Sequence, residues 1–226
     1  ELMDLPQPVT PELERDLENL VSLNRWFGSR RLLFHYLRRW WTPGENYRVL
    51  DLCTGAGDLP RAMVDFARAR NIKLRVVALD ASPATIEIAR QRNRGYDEIN
   101  FVEGNALTYG VGAEFDFVNC SLALHHFSDG DAVHLLTRCR LLSARWVLAS
   151  DLERSPLTTL GVWLLTALIY REPMTRHDGR LSARRAFSFR EMRDLAESAG
   201  WVSFGHERFA FCRQALWSDS SPEIGR

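Results

Sequence analysis

The sequence predicts an α/β fold around a parallel sheet, and three observations carry that prediction. Apolar, β-branched runs at Val49–Leu52, Leu74–Asp80, Ile99–Glu103 and Phe115–Ser121 have the length and composition of buried strands. Residues at helical spacing fill the intervals between them. Each interval leaves room for one crossover helix, which parallel pairing requires.

The elements follow in order. Thr10-Pro11-Glu12 starts a helix that carries Leu13, Leu17, Leu20 and Val21 on one face, and Gly28-Ser29 interrupts it. Leu32, Leu33, Tyr36, Leu37 and Trp40 continue the apolar pattern in a second helix. Behind the first strand, Leu59, Ala62, Met63, Phe66 and Ala67 form a core-facing stripe. Ser82 caps the helix after the second strand, with Pro83 in its first turn. A further helix starts near Ser128, and Arg145 to Leu152 is the fifth strand. Ser188-Phe189-Arg190-Glu191 is a capping box whose helix ends at Gly200, and Trp201–Phe209 and Phe211–Trp217 close the sheet.

One domain is expected. Its parts are a helical cap over 1–45, a core over 46–152, an insert over 153–187, and a last helix and strands over 188–226. The insert is the least generic region and is expected to form the substrate side. Its apolar run Leu157–Tyr170 spans 14 residues, too few to cross a bilayer. It reads equally as a buried core helix or as one facing lipid or substrate. Arg171–Arg180 is polar and turn-rich, and reads as a lid or as a solvated loop.

Composition bounds the function. The 226 residues are 46% hydrophobic, with Lys plus Arg and Asp plus Glu at 29 each, so no global field recruits nucleic acid. Cys53, Cys120, Cys139 and Cys212 are far apart with no CxxC pair, which suggests neither a zinc site nor a disulfide framework. No metal is expected. Free thiols suit a reducing compartment, and the start lacks a basic segment followed by an apolar core, so a cytoplasmic protein without a signal peptide is expected. Residue 1 is Glu, so part of a native N-terminus is expected to be missing.

The chemistry begins at Asp51-Leu52-Cys53-Thr54-Gly55-Ala56-Gly57. A strand delivers an acid, and two closely spaced glycines open a helix, so a ligand can approach the backbone and the free N–H groups of the helix start. Pro60 stands where a dinucleotide loop needs its third glycine, and the Lys-Ser/Thr of a P-loop is missing. Asp80 ends the second strand at the sheet edge where α/β folds bind ligands, positioned to take both hydroxyls of a ribose.

The glycine loop resembles the first motif of class I S-adenosylmethionine-dependent methyltransferases. Three later segments agree in order: Asp80 before Ala81-Ser82-Pro83, Glu103-Gly104-Asn105-Ala106, and Phe115-Asp116-Phe117-Val118 leading to Leu124-His125-His126. The resemblance covers at least Leu50 to Leu152, and is closest to the ubiquinone and menaquinone methyltransferases and related small-molecule enzymes. It implies a doubly wound sheet of seven strands, mostly parallel with an antiparallel last strand, and S-adenosyl-L-methionine as cofactor. It assigns Asp51, Thr54, Gly55, Gly57, Asp80, Ala81, Asn105, Ala106, Cys120 and Ser121 to the cofactor site. Asn105 stands where the family carries Asp, with its amide oxygen available to the adenine amine. The quinone enzymes are similar over Asn24–Arg31, which places Arg30 or Arg25 near the methionyl carboxylate.

Such a cofactor carries an activated methyl, so the protein must align the acceptor and, for oxygen or carbon acceptors, remove a proton. His126 and His125 follow the fourth strand and are candidate bases, with helix capping and packing as the alternative roles. His177 beside Asp178 is a third candidate. Asn119 is followed by Cys120-Ser121-Leu122 and lacks the Pro-Pro-aromatic clamp of amine methylases, which argues against nucleobases. An apolar acceptor such as a phenolic, quinol or polyketide ring is expected, lipid-like acceptors included, without an integral span. The rival classes are a catalytically silent cofactor-binding subunit and a nicotinamide oxidoreductase.

Overall fold

The computed structural model describes residues 1–110, 112, 114–170 and 172–219. A seven-stranded sheet runs in the order β3-β2-β1-β4-β5-β7-β6. Its strands are β1 (Asn46–Leu52), β2 (Lys73–Asp80), β3 (Ile99–Glu103), β4 (Phe115–Ser121), β5 (Ser143–Leu152), β6 (Gly205–Phe209) and β7 (Arg213–Asp219). The first five pair in parallel, and β7 runs antiparallel between β5 and β6. The chain order reverses between β1 and β4, which opens a crevice beyond the carboxyl ends of those strands.

Helices cover both faces. α3 (Asp58–Arg68) buries Leu59, Ala62, Met63, Phe66 and Ala67, the stripe expected from the sequence. On the same face α2 (Ser29–Trp40) adds Leu33, Tyr36, Leu37 and Trp40 to one core with Val49, Phe117 and Trp146. α4 (Pro83–Arg92) starts at Ser82, whose hydroxyl accepts from the Thr85 amide at 3.2 Å. α5 (Asp129–Leu142) and α8 (Phe189–Ser198) pack their buried leucines and Met192 on the other face, against Leu50, Val118 and Leu148's neighbour Val147. The Ser188–Glu191 capping box forms as expected.

α1 (Pro11–Trp26), α6 (Pro156–Leu168) and α7 (Pro173–Arg185) stand over the crevice. Here two expectations need correction. The polar segment after Tyr170 is not a loop: from Pro173 it is helix, with Pro in its first turn and Asp178 and Ser182 buried. Arg171, Val111, Ala113 and 220–226 lie outside the described residues. Nor is the apolar run a buried core helix, since Leu157, Leu160, Trp163, Leu164 and Leu168 of α6 are exposed. Among the described residues no helix is long and apolar enough to cross a membrane.

Candidate active site

The crevice encloses a cavity of about 870 Å³. Its floor is the glycine loop and the ends of β1, β2, β4 and β5, and its roof is α1, α6, α7 and a short 3-10 turn at Leu2–Asp4.

The glycine loop is held from beneath. Asp51 and Asn119 are register partners on β1 and β4. Asn119 Nδ2 donates to Asp51 Oδ1 at 2.6 Å and Thr54 Oγ1 donates to Oδ2 at 2.5 Å. Burial nevertheless pushes the Asp51 carboxyl up to about 7, with those two donors only partly opposing it. Asp80 accepts the Gly55 amide at 2.9 Å and the Ser82 amide at 3.1 Å, one on each oxygen. Each oxygen keeps a lone pair for a ligand hydroxyl. Burial raises the Asp80 carboxyl and the two amides counter it.

The two glycines do different work. A Cβ on Gly55 would meet nothing within 4 Å, and Gly55 lines the cavity at φ 55°. A Cβ on Gly57 would stand 2.6 Å from the Phe101 ring and 2.9 Å from Asn93 Nδ2, and Gly57 does not line the cavity. Gly57 is therefore held by packing and by the helix start at φ 73°, outside the cavity wall that Gly55 lines.

Asp51, Thr54, Gly55, Asp80, Ala81 and Ser121 line the cavity as expected. Four other expected residues do not. Ala106 and Cys120 are buried in the hydrophobic core beneath it. Asn105 is exposed, and its amide oxygen accepts the Leu107 amide at 2.8 Å in a local turn, which leaves one lone pair on that oxygen. Arg30 sits over the Phe34 ring and borders a small adjoining pocket with Arg25, Arg61 and Asp58, the last shared with the cavity. The arginine that lines the main cavity is Arg213, buried at 5% exposure and lowered to about 10 by desolvation, its Nε donating to the Phe27 carbonyl at 3.2 Å.

The histidines divide in the same way. His177 Nδ1 lies 2.8 Å from Asp178, its side chain is 56% exposed, and it is not among the residues lining the cavity. His125 and His126 both line the cavity. His125 Nδ1 stands 2.7 Å from Oδ1 of Asp151, a fully buried carboxylate near the end of β5 that also accepts the His125 amide at 3.0 Å. His126 Nδ1 stands 2.8 Å from Asp4. A carboxylate at Nδ1 keeps the proton there and turns Nε2 outward as an acceptor. Burial works against charge on His126, yet Asp4, Glu1 and Asp151 outweigh it and raise its basicity. His125 opposes burial in the same manner at Asp151 and holds that carboxyl below its ordinary value.

Sequence reading missed Glu1, Asp4 and Asp151, and read Asp178 only as a partner for His177. Asp151 carried the signal that found Asp51 and Asp80, an acid at a strand's carboxyl end. Glu1 and Asp4 had none, because the 3-10 turn is too short for periodicity. α7 holds that turn in place. Asp178 accepts the Leu2 and Met3 amides at 2.9 and 3.0 Å, and Ser182 Oγ donates to Glu1 at 2.7 Å. Thr175 Oγ1 donates to buried Asp16 of α1 at 2.6 Å, joining the two halves of the roof.

Against known proteins, the family described as "Methyltransferase domain" matches residues 49–144, the glycine loop through α5. That match is to a methyltransferase domain and takes in the cofactor loop and the strands in order up to the start of β5. A 2-phytyl-1,4-naphtoquinone methyltransferase from Thermosynechococcus vestitus is 41% identical over 68 residues, 30% of this chain and 29% of that protein. An uncharacterized methyltransferase from Bacillus subtilis is 29% identical over 37% of this chain and 32% of its own length, so the chain matches about a third of these curated relatives. Human N-acetylserotonin methyltransferase, solved with its cofactor, shares the fold at a TM-score of 0.66 and 19% identity over 92% of this chain and 55% of that one. A methyltransferase from Aquifex aeolicus does so at 0.63 and 15% identity over 90% and 96%.

S-adenosylmethionine is the cofactor of this methyltransferase family, and the residues fit it. Gly55 leaves open the space a Cβ would fill, Asp80 offers two acceptors spaced for a diol, and Asp58 Oδ2 is buried on the cavity wall without a partner, an acceptor for an ammonium group.

Proposed function

We propose that this methyltransferase transfers a methyl group to oxygen or carbon of an apolar, aromatic small molecule of the phenolic, quinol or polyketide kind. The observation that carries the reading is a single cavity in which the cofactor loop faces a carboxylate–imidazole cluster across walls of Leu, Val, Ile and Phe. In this reading residues 1–45 and 153–187 form the two sides of the acceptor chamber above the 46–152 core. The quinone methyltransferase similarity points the same way over the segment it covers. The free cysteines suit a reducing compartment such as the cytoplasm.

When bound, the cofactor supplies a methyl group already activated by its sulfonium. Asp80 and Gly55 fix its nucleoside, and Asp58 takes its ammonium group. Leu157, Val162 and Leu165 of α6 with Leu20 and Phe27 hold the acceptor ring and exclude water. The acceptor loses its proton to the cluster of Glu1, Asp4, His125 and His126, with Asp151 behind it. The deprotonated oxygen or carbon would then be the nucleophile for the methyl group that the bound cofactor supplies. Incubation with labelled cofactor and a panel of phenols and quinols bearing aliphatic tails tests this. Labelled ether or ring-methyl product is expected, and cofactor binding without turnover on any member leaves the silent-subunit reading in its place.

A further inference from the structure

We infer that Glu1, His125 and His126 form a binding site for one divalent transition-metal ion of the zinc type. Ion binding itself does not depend on the proposed reaction; only the role given to the ion below rests on it.

The argument is geometric. Nε2 of His125 lies 3.7 Å from Glu1 Oε1, and Nε2 of His126 lies 3.8 Å from Glu1 Oε2. These separations are too long for hydrogen bonds. One donor atom from each residue falls within 4.8 Å of the other two. Ligands held about 2.0–2.2 Å from a shared ion stand roughly 3.3–3.8 Å apart at tetrahedral to trigonal angles, which each imidazole already meets toward one Glu1 oxygen, while a bound of 4.8 Å on the full set leaves a small inward shift to close it. Two imidazoles and a carboxylate suit zinc and its neighbours and leave a position for water or substrate.

A second feature agrees independently. Each imidazole has a carboxylate on its other nitrogen, Asp151 at 2.7 Å and Asp4 at 2.8 Å, the arrangement that fixes metal-ligating histidines with Nε2 outward. Glu1 is oriented in turn by the Ser182 hydroxyl. The side chains of Glu1 and His125 are only 2% and 4% exposed, so the group is built into the fold rather than gathered on a surface. Charge agrees. Three carboxylates meet two imidazoles, with Arg213 near Asp151 and the Glu1 ammonium 3.0 Å from Asp4, so with neutral imidazoles the cluster keeps a net negative charge that favours a cation. This replaces the expectation of no metal, which rested on cysteine spacing.

An ion there would face the cavity and bind an acceptor hydroxyl, lowering its pKa; with Glu1 and both Nε2 atoms on the ion, the cluster then acts through the ion and the proton passes to water in place of the histidines. The test uses the full chain stripped with a chelator and dialysed. Titration with Co²⁺ and with Zn²⁺ is expected to show one tight equivalent, Co²⁺ giving the intense visible bands of a low-coordinate site. Glu1→Gln and His126→Ala should each weaken binding at least tenfold while leaving S-adenosylhomocysteine affinity unchanged, which certifies the fold. Absence of a stoichiometric ion in the wild-type chain, or equal binding by His126→Ala, overturns the site. A stripped chain that methylates its acceptor at the full rate overturns the role given to the ion and leaves the proposed reaction standing. Tight ion binding with no methyl transfer under any condition overturns that reaction and leaves the site.

Discussion

The ring of Phe101 stands 2.6 Å from the point where a Cβ on Gly57 would lie, so β3 dictates glycine in a loop that follows β1. Gly55, two residues earlier, meets open cavity instead. Gly57→Ala combines a left-handed backbone with overpacking and should cost about 2–4 kcal/mol, lowering Tm strongly. Gly55→Ala carries only the backbone term, about 1–2 kcal/mol, yet should weaken S-adenosylhomocysteine at least tenfold. Differential scanning calorimetry and titration calorimetry on both variants check the division. Equal loss of Tm would contradict it.

Asp80 is expected to hold the ribose diol through the lone pairs its two backbone partners leave free. Loss of a charge-assisted contact costs about 1.5–3 kcal/mol, so Asp80→Asn should weaken S-adenosylhomocysteine roughly tenfold to a hundredfold. The 2′-deoxy analogue should bind wild type more weakly than the full nucleoside and bind both proteins alike.

The buried Asp51 carboxyl gives the fold a pH dependence. Its pKa rises from 3.8 to about 7 on folding, so between those values the native state binds more protons than the unfolded one. Stability from this group is then fully present below about pH 4 and lost as pH rises through 7. The loss reaches about 4 kcal/mol at 1.36 kcal/mol per pK unit. Asp51→Asn, measured without cofactor, should raise Tm at pH 8 and flatten this part of the pH profile. A variant less stable than wild type at pH 8 would show that ionised Asp51 is favoured by its two donors after all.

The acceptor wall can be tested on residues that face it. Gly161 of α6 lines the cavity and a Cβ there meets nothing within 4 Å. Gly161→Leu should fit the helix, fill acceptor space and raise acceptor KM at least tenfold with cofactor affinity unchanged. Tyr170, Met174 and His177 do not line the cavity, so alanine at any of them should leave turnover near wild type. Steady-state kinetics on the four variants decides it.

The sheet and the cofactor loop were legible because each rests on a local rule. Strand composition, caps such as Ser82 and Ser188, and acids at strand ends need only a few neighbouring residues to be read. What escaped depends on distant packing. Nothing near Gly57 announces Phe101, and nothing in Glu-Leu-Met-Asp announces His126, which it meets only once β4, β5 and α7 are assembled. Asn105 and Arg30 were placed by analogy of position, and their local partners, the Leu107 amide and the Phe34 ring, could not be read from it. The exposed apolar face of α6 was legible as apolar, but its surroundings were not.

The hydrogen bonds from the Leu2 and Met3 amides to Asp178 close a ring of chain about 175 residues long. The sheet and the bonds of Thr175 to Asp16 and Glu172 to Arg15 already subdivide that ring, so what the two amides fasten is only the short segment ahead of α1. Held by a few polar contacts and no strand pairing, that segment is expected to open locally before the sheet does. Amide hydrogens of residues 2–4 should then exchange far faster than those of β1 and β4.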